Sequence, residues 1–311
     1  MANIILMATY NGAEKILPQL YSFLSQSILP DKVYILDDCS TDTTLQVIEQ
    51  FIEKNLSDIE WIIKKNIENI GWRETFFKLI KTSNYNDNDI IFFSDQDDIW
   101  NNSKIELSSR VIREDAQIDL LVSDYDKILP EDIFSLSSEG QVDYDFKIEK
   151  YSYKLLDLVV GPGCVMAFRG KFGHEIANQV QSIGQMAHDA LLSNCALAKG
   201  TCYHLPVSLI KQVRYETSVY MQKSSIFDID FNKKKGTFDL AILYQTMAKK
   251  FAKKDSKEFI YIDKKLKAYK SRKKAYELGA IPRIIFNLVI YFPMYRNNGD
   301  RFTELSSFFK K

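Results

Sequence analysis

Between residues 4 and 93 the chain alternates short apolar runs with longer stretches whose apolar residues recur every three or four positions. Residues 4–7 form the first run; Ala8-Thr9-Tyr10-Asn11-Gly12 breaks it, and Leu17, Leu20, Tyr21 and Leu24 follow at helical spacing. Residues 33–36 form the second, ending in Asp37-Asp38-Cys39-Ser40-Thr41-Asp42 before a helix marked by Leu45, Val47, Ile48, Phe51 and Ile52. A third strand is expected over 61–63. Asn69-Ile70-Gly71 leads into a helix carrying Phe76, Phe77, Leu79 and Ile80, after which residues 90–93 form an uninterrupted β-branched and aromatic run. Strands alternating with helices of this length predict right-handed crossovers, a mostly parallel sheet and helices on both faces. Three polar turns, 9–12, 37–42 and 95–98, then share one edge of that sheet.

That edge is where ligands of open α/β sheets gather. The last turn, Ser94-Asp95-Gln96-Asp97-Asp98-Ile99-Trp100, delivers three carboxylates just where a buried strand leaves the sheet. Carboxylates so placed suit Mg²⁺ or Mn²⁺, cations that complete their shells with phosphate oxygens and water, so the pattern points to a diphosphate-bearing substrate. The ordinary alternative is a set of solvated turn acids, with Asp98 capping a helix that starts near Lys104.

The four segments 8–12, 37–42, 69–71 and 94–100, in that order and at these separations, resemble the GT-A nucleotide-sugar domain of family 2 inverting glycosyltransferases. The Ser-Asp-Gln-Asp-Asp-Ile-Trp form is similar to the bacterial rhamnosyltransferase-like branch. The likeness covers about residues 1–215. It implies that Ala8 and Tyr10 hold a pyrimidine base, that Asp38 accepts a hydrogen bond from the base N3–H, and that Asn69 and Gly71 close over the nucleotide. Asn11 and Gln96 fall inside the same nucleotide-sugar motifs. Asp95 is implied to reach the ribose or the metal shell and Asp97 to bind the cation directly, with Asp98 a third acid; Asp37 reads as a turn residue. Cys39 stands where the family usually has Gly, and this leaves the carrier open between uridine and thymidine diphosphates.

Around Gly161-Pro162-Gly163-Cys164, small residues precede a short apolar strand and fit a wall beside the donor sugar. By the resemblance, Asp189 in His188-Asp189 is the general base, with His188 the competing proton acceptor. Displacement at the anomeric carbon needs the incoming hydroxyl deprotonated opposite the leaving diphosphate, and this arrangement implies inversion. Many relatives in the branch have Trp after the His-Asp pair, where Ala190 and Leu191 stand here. Arg214 is expected to contact phosphate, and Arg73 is either a phosphate ligand or solvated.

The 311 residues, 46% of them hydrophobic, suffice for one large α/β domain with an appendage. We expect a catalytic domain over 1–220 and a basic, mostly helical extension over 221–311. The balance of 41 Lys and Arg against 41 Asp and Glu hides an asymmetry: from Gln245 onward there are 17 against 6, a net of +11, leaving 24 against 35, or −11, before it. The basic end suits anionic lipid, a phosphate-bearing acceptor, a dimer contact or a packed helical subdomain, and its apolar stretch 281–294 is too short to span a bilayer. Residues 131–150, rich in acids and Ser, read as a mobile excursion near the acceptor side.

Four cysteines without Cys-x-x-Cys spacing, and no segment that reads as a signal peptide, lead us to expect reduced thiols in a cytoplasm, with peripheral contact at the inner membrane face open. The expected partners are a nucleotide diphosphate sugar, either dTDP-rhamnose or a UDP-hexose, and a bacterial surface glycan on lipid or protein; nucleic acid is not among them. Two other classes stay in play: a catalytically silent sugar-nucleotide-binding module, and a sugar nucleotidyltransferase, although residues 8–14 lack the latter's glycine-rich basic loop.

Overall fold

The computed structural model describes residues 1–135, 146–157, 159–215, 231–278 and 281–295. In chain order the first elements are β1 (Asn3–Thr9), α1 (Ile16–Leu24), β2 (Lys32–Asp37), α2 (Thr44–Lys54), β3 (Glu60–Lys65), α3 (Trp72–Thr82) and β4 (Ile90–Ser94). Then come β5 (Asp98–Trp100), α4 (Lys104–Glu114), β6 (Leu120–Ile128), β7 (Glu149–Lys150), β8 (Met166–Arg169), α5 (Gly170–Gln179), α6 (His188–Lys199) and β9 (Cys202–Val213). Helices α7 (Phe231–Phe251), α8 (Lys257–Leu278) and α9 (Ile281–Ile290) follow.

The strands form one nine-stranded sheet in the order β3-β2-β1-β4-β8-β6-β9-β5, with β7 added on β9. β3, β2, β1 and β4 pair in parallel, as the strand-helix rhythm of the first hundred residues requires. β6 and β9 are also parallel, whereas β8, β5 and β7 enter antiparallel, so the second half of the sheet is mixed. Both faces are covered, which is why the central strands are apolar without alternation. Phe92 turns toward α1 and α4, where Phe23 and Trp100 meet edge to face 4.9 Å apart and Lys104 lies over both Trp100 and Phe92. Phe93 turns the other way, onto Phe76 of α3 and His188 of α6.

Register fixes the site. Thr9 lies opposite Asp37 and Met7 opposite Ser94, so the segments leaving β1, β2 and β4 emerge side by side at one edge. Helix α7 packs against α6 and α8, and Ala248, Phe251, Ala252, Ile262 and Leu266 belong to the same apolar core as the sheet. The expected boundary at 220/221 falls outside the described residues, as does 136–145 of the expected excursion at 131–150.

A buried cluster ties this helical extension to the segment before Gly161. Asp157, in a left-handed conformation at φ +79°, receives hydrogen bonds from Tyr269 Oη at 2.6 Å, from Gln245 and from the ammonium of Lys265, whose side chain is 4% exposed.

Candidate active site at the strand ends

The loop after β1 is laced to its neighbours by backbone N–H groups. Tyr10 N donates to Gln96 Oε1 (2.9 Å), Asn11 N to Ser40 Oγ (2.9 Å) and Gly12 N to Thr44 Oγ1 (2.8 Å). Gln96 Nε2 returns a bond to Tyr10 O at 3.0 Å, so its amide straps the acid turn to the Tyr10 loop. A Cβ at position 12 would lie 2.3 Å from Gln96 Oε1 and push that amide off Tyr10. Asn11, at φ +46°, accepts from Thr41 N at 2.9 Å. The Tyr10 ring is left 45% exposed at the mouth, beside half-buried Ala8.

Asp38 is 3% exposed and holds the next loop in place. It accepts from Asn66 Nδ2 (2.8 Å), Ile70 N (2.9 Å) and Gly71 N (2.8 Å), leaving about one of a carboxylate's four lone-pair directions. Asn69 Oδ1 adds an acceptor for Gly71 N at 3.1 Å, and Gly71 sits at φ +83° with open space where a Cβ would be. Asp37 is a buried turn residue, accepting from Thr9 Oγ1 (3.0 Å) and Ser40 N (2.8 Å). Cys39 takes φ +65°, so the left-handed turn that glycine would favour is kept with a side chain in it.

Of the three acids after β4, the structure brings Asp95 and Asp98 together with Cys164; one ligand atom from each lies within 4.8 Å of the others. Burial, then the charges of Asp98, Asp97 and Asp189, hold the Asp95 carboxyl well above the usual carboxylate range. Burial and Asp97 push Asp98 up to about 7, and its Oδ2 is buried with no hydrogen-bond partner among the described residues. Two crowded carboxylates with an orphaned oxygen suit a divalent cation. Burial pushes the Cys164 thiol up, so the hard oxygens of Asp95 and Asp98 are the better ligands for Mn²⁺ or Mg²⁺. Asp97 is outside this trio; burial raises it, and Lys15 and Arg214 pull it back toward the charged form. Arg214 also favours ionised Asp98, and its backbone N–H donates to Ile128 O at 2.9 Å.

Asp189, 5% exposed in the first turn of α6, is near enough to Asp95 to raise that carboxyl's pKa. Its own is raised by burial, against a bond from Ala190 N to Oδ1 (2.6 Å) and the charge of Arg73. The entry to α6 has no side-chain cap; instead Ala187 N donates to Tyr244 Oη of α7 at 2.7 Å. His188 is stacked on Phe76 (4.1 Å) and edge-on to Phe93 (4.8 Å), with Gly163 against its Nε2. Among the described residues neither ring nitrogen has a hydrogen-bond partner, and burial drives the imidazole down to about 3, too weak a proton acceptor for the base.

This histidine has a consequence for stability. Its folded value is depressed, so between pH 6.5 and about 3 the unfolded chain binds a proton that the native chain refuses, and stability falls as pH drops. In urea melts the native chain is expected to lose about 2 kcal/mol more than His188→Leu between pH 7 and pH 5. Equal losses would mean that His188 is protonated in the folded state.

Several site residues gave no sequence signal. Lys104 is fully buried, donates to Cys164 O at 3.0 Å and is lowered to about 8 by burial, yet an isolated Lys opening a helix reads as solvated. Lys15, Asn66 and Tyr244 likewise join only through the fold. Trp72, 39% exposed and edge-on to His188 at 5.6 Å, carries the Arg73 guanidinium on its ring at 4.5 Å.

Comparison with known proteins agrees with this geometry. Residues 4–172 match the model of Glycosyl transferase family 2. Over 100 residues the chain is 38% identical to the dTDP-rhamnosyl transferase RfbG of Shigella flexneri, covering 32% of this chain and 34% of that protein. The match thus spans about a third of that curated relative. Two solved structures share the fold: S. aureus TarS 1-349 in complex with UDP-GlcNAc (TM-score 0.59, 14% identity, 100% of this chain and 93% of that one), and the mannosyltransferase PcManGT from Pyrobaculum calidifontis in complex with GDP-Man and Mn²⁺ (0.54, 13%, 99% and 84%). A GT-A-type α/β sheet with four motif loops gathered at one edge, and a family match over more than half its length, make this chain a member of glycosyl transferase family 2.

Proposed function

We propose that the chain is a cation-dependent, inverting glycosyltransferase that moves a deoxyhexosyl or hexosyl group from a nucleotide diphosphate sugar to a hydroxyl of a bacterial surface glycan. The single observation that carries this reading is the convergence of Asp95, Asp98 and buried Asp189 on one sheet edge, beside the Asp38-held nucleotide loop. In it, Tyr10 packs on the base, the remaining lone pair of Asp38 receives the base N3–H, and Asp189 takes the acceptor's proton. The raised carboxyl of Asp189 makes it a stronger base than a solvated aspartate. A divalent cation held by Asp95 and Asp98, with Asp97 and Arg214 alongside, would supply the positive charge that offsets the leaving diphosphate. Trp72, 39% exposed and packed edge to face with His188 next to Asp189, offers the aromatic group that Ala190 and Leu191 do not provide.

dTDP-rhamnose is the donor we favour, because the 38% identity is to a dTDP-rhamnosyl transferase; UDP-hexoses compete, as TarS was solved with UDP-GlcNAc. Work on a lipid- or protein-linked glycan suits an enzyme of the cytoplasm. The nucleotidyltransferase reading is disfavoured, since the N–H groups of Tyr10, Asn11 and Gly12 that would cradle phosphate are taken by Gln96, Ser40 and Thr44.

The test is a donor screen with Mn²⁺, scoring thermal shift and release of nucleoside diphosphate. One donor is expected to stabilise and turn over, chelation to stop turnover and Mn²⁺ to restore it, and Asp98→Asn to lower the rate roughly 100-fold. Stabilisation by a donor with no release under any condition would favour the silent binding module.

A further inference from the structure

Helix α9 presents apolar residues to solvent and a polar one to the protein. Ile284 and Asn287 face inward, 2% and 0% exposed, and Asn287 Oδ1 accepts from Ser271 Oγ of α8 at 2.7 Å. On the opposite face Ile285, Phe286, Val289 and Ile290 are each more than half exposed, with no polar residue among them. A surface helix is ordinarily arranged the other way round.

The neighbouring surface is basic. Lys264, Lys267, Lys270 and Lys274 are exposed on one face of α8, the face that also carries Ser271 and so borders α9. Lys267 is close enough to Tyr291, just past α9, to be influenced by it. From 257 to 295 there are nine Lys and Arg against three Asp and Glu.

We infer that α9 and the lysine face of α8 form a docking surface for an anionic lipid bilayer. The ten-residue α9 is far too short to cross, and none of the described helices is long and apolar enough to do so, but a short helix with one apolar face beside a basic stripe suits the headgroup boundary. Charge complementarity selects this occupant over others. A second copy would bring the same positive surface to the contact, and residues 296–311, with four Lys and Arg against two acids, are basic too. The surface lies on the helical extension, apart from the strand-end site, so the inference stands whichever donor is used.

The full chain is to be floated with vesicles of phosphatidylcholine alone, and with about 30% phosphatidylglycerol added to give an anionic surface. Binding is expected to favour the anionic vesicles at least about tenfold and to weaken in high salt. Phe286→Ser/Val289→Glu and Lys270→Glu/Lys274→Glu, all at exposed positions, should each lower binding about tenfold with unchanged melting temperature. Equal binding to both vesicle types, or an apolar variant that binds like the native chain, would overturn the inference. So would a solution dimer that Val289→Glu splits, which makes a second copy the occupant. A melting temperature that falls with Val289→Glu would overturn it as well, since the occupant would then be the chain's own remainder.

Discussion

Asp189→Asn is expected to cut sugar transfer by about two to four orders of magnitude while donor affinity stays within about twofold of native. The amide oxygen can still accept the bond that Ala190 N now gives to Oδ1, so the first turn of α6 is preserved. What disappears is the proposed proton acceptor, in a position whose burial raises its basicity. In the proposed site the donor is held instead by Tyr10, Asp38 and the acids after β4, on other elements. Titration calorimetry with donor, beside single-turnover transfer, separates the two effects. Transfer that survives in the variant would remove Asp189 from the base role, and the environment of His188, neutral and wedged between Phe76 and Phe93, offers no replacement.

Lys265→Met should be the most damaging single change for stability. It leaves the Asp157 carboxylate, 1% exposed, with Tyr269 and Gln245 as donors but no positive charge, a loss of roughly 3–5 kcal/mol and a fall of about 6–12 °C in melting temperature. The pair joins α8 to the segment leading to Gly163 and Cys164, so loosening it should also weaken Mn²⁺ dependence of donor binding. Asp157→Asn combined with Lys265→Met removes both charges and is expected to recover most of the stability. Thermal melts of the three variants decide this. A double variant no more stable than Lys265→Met would mean that the ion pair is not what holds the extension in place.

How far the sequence can be read differs from one residue to the next. The turn at 8–12 was legible because a strand, a breaker and a helical period are local patterns, and the structure places β1, Asn11 and α1 where those patterns put them. Asp38 was legible as an acid in a turn at the sheet edge, but its bonds to Asn66, Ile70 and Gly71 join residues about thirty positions away. The acid turn was legible as a set of carboxylates at a strand end. Which of its carboxylates meet was not, because β5 turns Asp98 inward by pairing with β9, more than a hundred residues on. Lys104 and Tyr244 were invisible for the same reason: a lysine opening a helix and a tyrosine within one carry no mark of what they touch.

The sequence by itself determined the strand-helix order of the first hundred residues, the loops that end those strands, and the charge divide between residues 1–244 and the basic end. All three follow from backbone preference and composition, which act over a few neighbouring residues. Tertiary structure alone decided that Asp95 joins Asp98 and Cys164, that α7 caps the helix carrying Asp189, and that α9 turns its apolar face outward. Those outcomes depend on which distant surfaces pack together, and burial and charge take their values only once that packing exists.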